Sequence, residues 1–216
     1  MAAEAWESIP GWFTFRAWYD RVAGECPPGS TLVELGVFCG KSLAYLAERT
    51  RGKGCRVVGV DTFLGSPEFR DMVVAPDGSV FADMPAGHLA GVAVNHLNAA
   101  GVLKDVTLVV SDSARAAELF PDGSVWAAFV DAAHDADSVE RDVRAWWPKV
   151  APGGYLAGDD YDHDYPGVRE GLLRAFPPDT FPPLPARGSV GLKDTVGHTV
   201  VAEGVLLPST TLKGMP

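Results

Sequence analysis

TLVELGVFCGKS, residues 31–42, is the stretch that decides the fold. Thr31 to Leu35 is an apolar run of strand length that stops at Gly36, and Lys41 to Arg49 resumes with Leu43, Leu46 and Ala47 on one helical face. The reading is strand, glycine turn, helix. Glycines at 36 and 40 let the backbone pass close to a ligand, and a helix start offers N–H groups to a carboxylate or phosphate. Two phosphate-binding patterns fail on spacing. A P-loop has four residues between its first glycine and Gly-Lys-Ser, whereas only Val37, Phe38 and Cys39 stand here. A dinucleotide fingerprint needs a middle glycine that these three residues do not supply.

Outward from this unit the pattern repeats. Arg56 to Val60 reads as a strand ending in Asp61, Val106 to Val110 as one ending in Ser111, Asp112 and Ser113, and Val125 to Val130 as one ending in Asp131. Gly153 to Gly158, after a Pro-Gly-Gly turn, reads as a fifth that delivers Asp159 and Asp160. Helical stretches fall at 88–100, at 138–150 with Val139, Val143, Trp146, Trp147 and Val150 on one face, and at 168–176. Asp137 and Glu140 form the expected capping box of the second. Open α/β sheets bind ligands at the carboxyl ends of their strands, so one site built from strand tips is expected.

The flanks are less regular. Residues 12–23 carry Phe15, Trp18, Tyr19 and Val22 at helical spacing, closed by Cys-Pro-Pro-Gly, and residues 1–30 read as a helical cover. The stretch 65–87, rich in Gly, Pro and Asp, is too long for an ordinary connection and reads as a lid. Runs at 189–193 and 198–202 read as a terminal hairpin after a Pro-rich connection, and 207–216 as a loose tail.

Composition narrows the function. The 216 residues suit one domain, and 28 acidic against 18 basic residues give a net charge of −10 with no Lys/Arg run longer than a dipeptide, which disfavours nucleic acid as a partner. Cys26, Cys39 and Cys55 are odd in number and form no C-x-x-C pair, so neither a disulfide framework nor a zinc knuckle is expected and a reducing compartment is the default. The N-terminus lacks a signal-peptide pattern and no apolar run reaches membrane-spanning length, so the expectation is a cytoplasmic protein without a membrane partner.

Glu34-Leu35-Gly36-Val37-Phe38-Cys39-Gly40-Lys41-Ser42 resembles motif I of the class I methyltransferases, above all the catechol O-methyltransferase version. The block FVDAAHDADSVERDVRAWWPKVAPGGYLAGDDYDHDYPGV, residues 129–168, resembles the small bacterial branch that includes macrolide-sugar O-methyltransferases and cephalosporin-hydroxylase-like proteins. The resemblance covers roughly 31–176 and implies a Rossmann-like α/β fold: a mostly parallel seven-stranded sheet, helices on both faces and a C-terminal antiparallel hairpin, in a domain spanning 31–206. It implies S-adenosylmethionine as methyl donor, bound by Glu34, Gly36, Phe38, Gly40, Ser42, Asp61, Thr62, Asp112, Ser113 and Asp131. Within that set Gly36 and Gly40 would admit the methionine part, Ser42 would lie near its carboxylate, Asp61 would bind the ribose hydroxyls, and Asp112 and Ser113 would lie near adenine.

Asp131, His134, Asp159 and Asp160 form the second constellation. Three carboxylates on adjacent strand tips repel unless they share a cation, and an all-oxygen set suits Mg²⁺ or another hard divalent ion rather than zinc. A Ca²⁺ loop at 160–171 fails, because Tyr165 stands at its glycine position and Gly171 at its glutamate. The resemblance places metal on Asp131, Asp159 and Asp160 and makes His134 the base, although Ala132-Ala133 replaces the family's frequent glycine after the first Asp. Asp162 and His163 could compete for these roles, while His88, His96 and His198 read as surface or helix residues without partners, and Trp146-Trp147 as core. The expected activity is metal-dependent O-methylation of a small-molecule hydroxyl, on a sugar or natural-product-like acceptor. A metal-independent or hydroxylase-associated member of the same fold, and a silent cofactor- or partner-binding module, are the rivals. Whether the chain forms a homo-oligomer is open.

Overall fold

The computed structural model describes residues 4–65, 88–161 and 165–176. The lid stretch beyond Gly65, Asp162, His163, the terminal hairpin, His198 and the tail all lie outside the described residues. The chain divides into two compact units, Met1–Ser113 and Ala114–Pro216.

The first unit holds helix α1 (Arg16–Glu25), strand β1 (Thr31–Leu35), α2 (Lys41–Thr50), β2 (Arg56–Asp61), α3 (His88–Ala99) and β3 (Val106–Val110). β1 pairs parallel with β2 from Thr31 opposite Arg56 to Leu35 opposite Val60, and β2 pairs parallel with β3 from Val57 opposite Val106 to Asp61 opposite Val110. Leu32 to Leu35 and Val57 to Val60 are buried throughout, the run that a parallel strand covered on both faces produces. Gly59 has a packing reason: a Cβ there would meet Leu43 Cδ2 at 2.6 Å and Val37 Cγ2 at 2.7 Å, so α2 and the glycine turn lie directly on the strand.

α1 begins at Arg16 rather than near Trp12, and the aromatics before it pack against one another and against Tyr45 of α2. Phe13 makes edge contacts with Trp6, Phe15 and Tyr45 at 5.6, 5.1 and 5.1 Å. The Arg16 guanidinium lies 5.4 Å over the Tyr45 ring, and its Nε donates to Tyr45 Oη. Tyr45 Oη and Arg49 Nε both donate to Asp20 Oδ1. The cover is therefore bolted to α2. It ends at Cys26, held extended (φ −60°, ψ 130°) by the proline that follows.

The second unit, taken by itself, holds the short helix α4 (Ser113–Ala116) at its boundary, β4 (Val125–Val130), α5 (Ala136–Trp146), β5 (Val150–Gly158) and α6 (Pro166–Ala175). β4 and β5 pair parallel, with a register shift between Val125, opposite Val150, and Ala127, opposite Tyr155. The Pro-Gly-Gly turn expected before β5 lies inside it as this irregularity: Gly153 has φ 80°, and a Cβ on Gly154 would lie 2.3 Å from Trp126 O. α5 starts two residues earlier than its spacing suggests, because Asp135 rather than the Asp137/Glu140 pair caps it, accepting from Ser138 N–H at 2.9 Å. It ends earlier too: Pro148 converts Trp147–Lys149 to a 3₁₀ turn. Trp146 is core, 5.0 Å from the Phe120 ring.

The described residues contain five strands, all parallel in the pairings above, where seven were expected. The hairpin would have supplied the other two. Among the described residues no helix is long and apolar enough to cross a membrane.

Candidate functional site

In the first unit the glycine turn is held from below. Gly36 and Gly40 adopt left-handed backbone (φ 91° and 89°), and so does Phe38 between them (φ 49°). Asp61, at the tip of β2, turns its carboxylate into this loop: Oδ2 accepts from Val37 N at 2.7 Å and Phe38 N at 2.9 Å, and Oδ1 accepts from Phe63 N at 2.7 Å. A carboxylate offers about four lone-pair positions, so one remains on Oδ1 for a ligand hydroxyl. Thr62 Oγ1 accepts from Leu64 N in the same turn, and Phe63 is a second left-handed residue (φ 54°). Asp112 and Ser113, half-buried, follow β3.

Two residues assigned to the donor face inward instead. Glu34 is 1% exposed, and its carboxyl accepts from Tyr19 Oη at 2.5 Å and from Ser42 Oγ at 2.9 Å. Burial pushes the Glu34 carboxyl up to about 8; the two hydroxyls pull it down and Asp61 adds to the rise. The β1 tip thus carries a neutral acid at pH 7, locked to the cover and to α2. His96 also has a partner that its sequence position did not reveal, the backbone carbonyl of Cys39, 3.2 Å from Nδ1. Gly40 matters on the same side: a Cβ would press on the Leu97 side chain at 3.2 Å.

In the second unit Asp131, His134 and Asp160 meet, one ligand atom of each lying within 4.8 Å of the others. Asp131 stands just beyond β4, His134 in the β4–α5 turn, Asp160 two residues beyond β5. His134 Nε2 lies 2.8 Å from Asp160 Oδ2, with the imidazole 13% and the carboxylate 20% exposed. Asp160 holds a left-handed backbone (φ 60°), and its carboxylate meets the histidine, while the Asp159 N–H donates to Val130 O and so extends the β4–β5 pairing by one residue. Asp159 is not among these three meeting groups, which are two carboxylates and an imidazole. That set suits a hard or borderline divalent ion.

Sequence reasoning missed Tyr165. Its ring stacks on His134 at 4.4 Å with a 35° tilt, delivered by the start of α6. α6 can come this close because two of its residues have no side chain: a Cβ on Gly167 would lie 2.4 Å from His134 O, and one on Gly171 2.6 Å from Ala136 O. A glycine pair four apart opening a helix, after Tyr-Pro, is the signal that could have found it.

The three non-glycine residues with left-handed backbone among the described residues, Phe38, Phe63 and Asp160, all follow strand tips. Such conformations cost about 1–3 kcal/mol each and persist where surrounding structure fixes them, commonly at binding sites. Residues 33–161 match the family model described as a methyltransferase domain, a match that runs through both units. The chain belongs to the methyltransferase-domain family. Its α/β fold is Rossmann-like, with a parallel sheet.

Solved methyltransferases share its fold. An S-adenosylmethionine-dependent O-methyltransferase from Thermotoga maritima is 20% identical with a TM-score of 0.52, covering 79% of this chain and 52% of its own, so the chain spans about half the length of that enzyme. A calicheamicin methyltransferase is 24% identical (TM-score 0.53), covering 81% of this chain and 74% of its own. A protein from Corynebacterium glutamicum is 14% identical (TM-score 0.54), covering 79% and 76%. No curated protein matches the sequence.

Proposed function

We propose that this methyltransferase transfers the methyl group of S-adenosylmethionine to a hydroxyl oxygen of a small molecule, in the cytoplasm, with a divalent cation such as Mg²⁺ on Asp131 and Asp160. The observation that carries this reading is the meeting of Asp131, His134 and Asp160. A sugar hydroxyl is the favoured acceptor class, since a structural relative of similar fold is described as a TDP-rhamnose 3′-O-methyltransferase.

S-adenosylmethionine supplies a methyl already activated on a sulfonium, and the cation, when bound, lowers the pKa of an acceptor hydroxyl. The chain's own work is then positioning and proton removal. In the first unit the Gly36–Gly40 turn offers backbone space, and Asp61, having fixed that turn, keeps one acceptor position for a ribose hydroxyl. In the second, His134 takes the acceptor proton on Nε2, and Asp160, 2.8 Å away, stabilises the imidazolium that results. The Tyr165 ring packs against the imidazole on one side, 4.4 Å between centroids.

Calorimetric titration with S-adenosylhomocysteine, in Mg²⁺ and again in EDTA, tests the donor half. Saturable binding that weakens by roughly tenfold or more in Asp61→Ala is expected. Asp160→Ala should keep that binding and lose Mg²⁺ or Mn²⁺ binding measured separately. Donor binding without any metal binding by the wild-type chain would sink the metal assignment alone; no donor binding in either buffer would sink the reading.

A further inference from the structure

Two cysteines, 29 residues apart in sequence, meet at the end of the first unit remote from the glycine turn: Cys26 at the end of α1 and Cys55 just before β2. Their Sγ atoms are 3.7 Å apart. A disulfide needs about 2.05 Å, so roughly 1.6 Å of closure remains, within reach of side-chain rotation and a small backbone shift. The backbone on one side can yield. Gly52 and Gly54 flank Lys53 immediately before Cys55, and a Cβ on either would meet nothing within 4 Å. Lys53 Nζ donates to the carbonyls of Ala23 and Gly24, which ties this turn to the end of α1 and keeps the two cysteines side by side.

We propose that Cys26 and Cys55 form a reversible dithiol site that accepts a low-molecular-weight disulfide as oxidant and closes into an intramolecular disulfide. The two thiols have different parts. Cys55 is half-buried and open to a small oxidant, whereas Cys26 is 3% exposed. The Cys55 thiolate attacks the oxidant, forming a mixed disulfide and releasing one small thiol. Cys26 then loses its proton and attacks the Cys55 sulfur, releasing the second small thiol. Two protein thiols are oxidised and one small disulfide is reduced to two thiols. Burial, reinforced by the Cys55 thiol, pushes Cys26 up to about 11 and so leaves the first attack to Cys55, while Lys53 Nζ, 3.9 Å from Cys26 Sγ, favours the Cys26 thiolate that the second step needs. The closed loop would enclose β1, the glycine turn and α2. The site is independent of the proposed acceptor and metal.

Oxidised glutathione added to the full chain, followed by thiol counting and non-reducing tryptic mapping, is the test. Trypsin leaves Cys55 in residues 54–56 and Cys26 with Cys39 in residues 22–41, so fragment ions must place the link. The expected result is loss of two of the three thiols, a 54–56 peptide joined to 22–41 through Cys26, and reversal by dithiothreitol. In Cys55→Ser, Cys26 should stay free under the same treatment. Glutathione arrested on Cys55 without an internal bond, three surviving thiols, or a link through Cys39 or between chains would overturn the proposal.

Discussion

Replacing Glu34 by glutamine should make the protein's stability less dependent on pH without weakening it near pH 6. Native Glu34 titrates at about 8 against an ordinary value of 4.5, because burial penalises its charged form. Between those values the native state keeps a proton that the unfolded chain has released. Stability therefore falls as pH rises, by about 1.4 kcal/mol per unit. The contribution is whole below about 4.5 and gone once pH passes about 8. From pH 6 to pH 8 the loss comes to about 2 kcal/mol. Glutamine has the shape of the protonated acid and one acceptor and one donor group for Tyr19 and Ser42, whose hydroxyls can each reverse their role. Urea unfolding of both proteins at several pH values between 6 and 8 isolates the effect, since every other titrating group is common to both. Wild type should lose about 2 kcal/mol relative to Glu34→Gln across that window. Parallel curves would mean that Glu34 is ionised in the native protein, and the account of this buried triad would be wrong.

Other expectations follow from packing and capping. Gly171→Ala, whose new methyl would press on Ala136 O at 2.6 Å and Val139 Cβ at 2.7 Å, should cost about 1–3 kcal/mol in urea unfolding. It should also shift the His134 imidazole signals in NMR spectra, because α6 carries Tyr165. Asp135→Ala removes the acceptor of the Ser138 N–H and should cost about 1 kcal/mol, read from the same unfolding curves. Ala at that position should leave S-adenosylhomocysteine binding unchanged.

The strands were legible because each is a short, mostly apolar string closed by glycine, serine or aspartate. β1, β3 and β4 lie where their residues put them, and β2 extends only to include Asp61. Helix ends were less so. The start of α1 depends on where Phe13 finds aromatic neighbours, and the cap of α5 on which of two aspartates reaches the Ser138 N–H. At the site, Asp131, His134 and Asp160 could be listed from the chain, but that these three meet depends on the turn after β5, where Asp160 is left-handed. The inward turn of Glu34 was hidden for a different reason. Its partners are 15 and 8 residues away, and nothing local distinguishes a carboxylate aimed at a ligand from one aimed at a tyrosine.

Asp61 fixes two amides of the glycine turn and one of the turn beyond β2 before any ligand arrives. A loop held in that way has little configurational freedom left to surrender on association, so under the proposed function the donor meets a surface already cut to shape. Its capture should follow a single kinetic phase, with the rate proportional to donor concentration and no slow rearrangement after the encounter. Under the proposed function, one carboxylate thereby sets the tempo of binding as well as its strength.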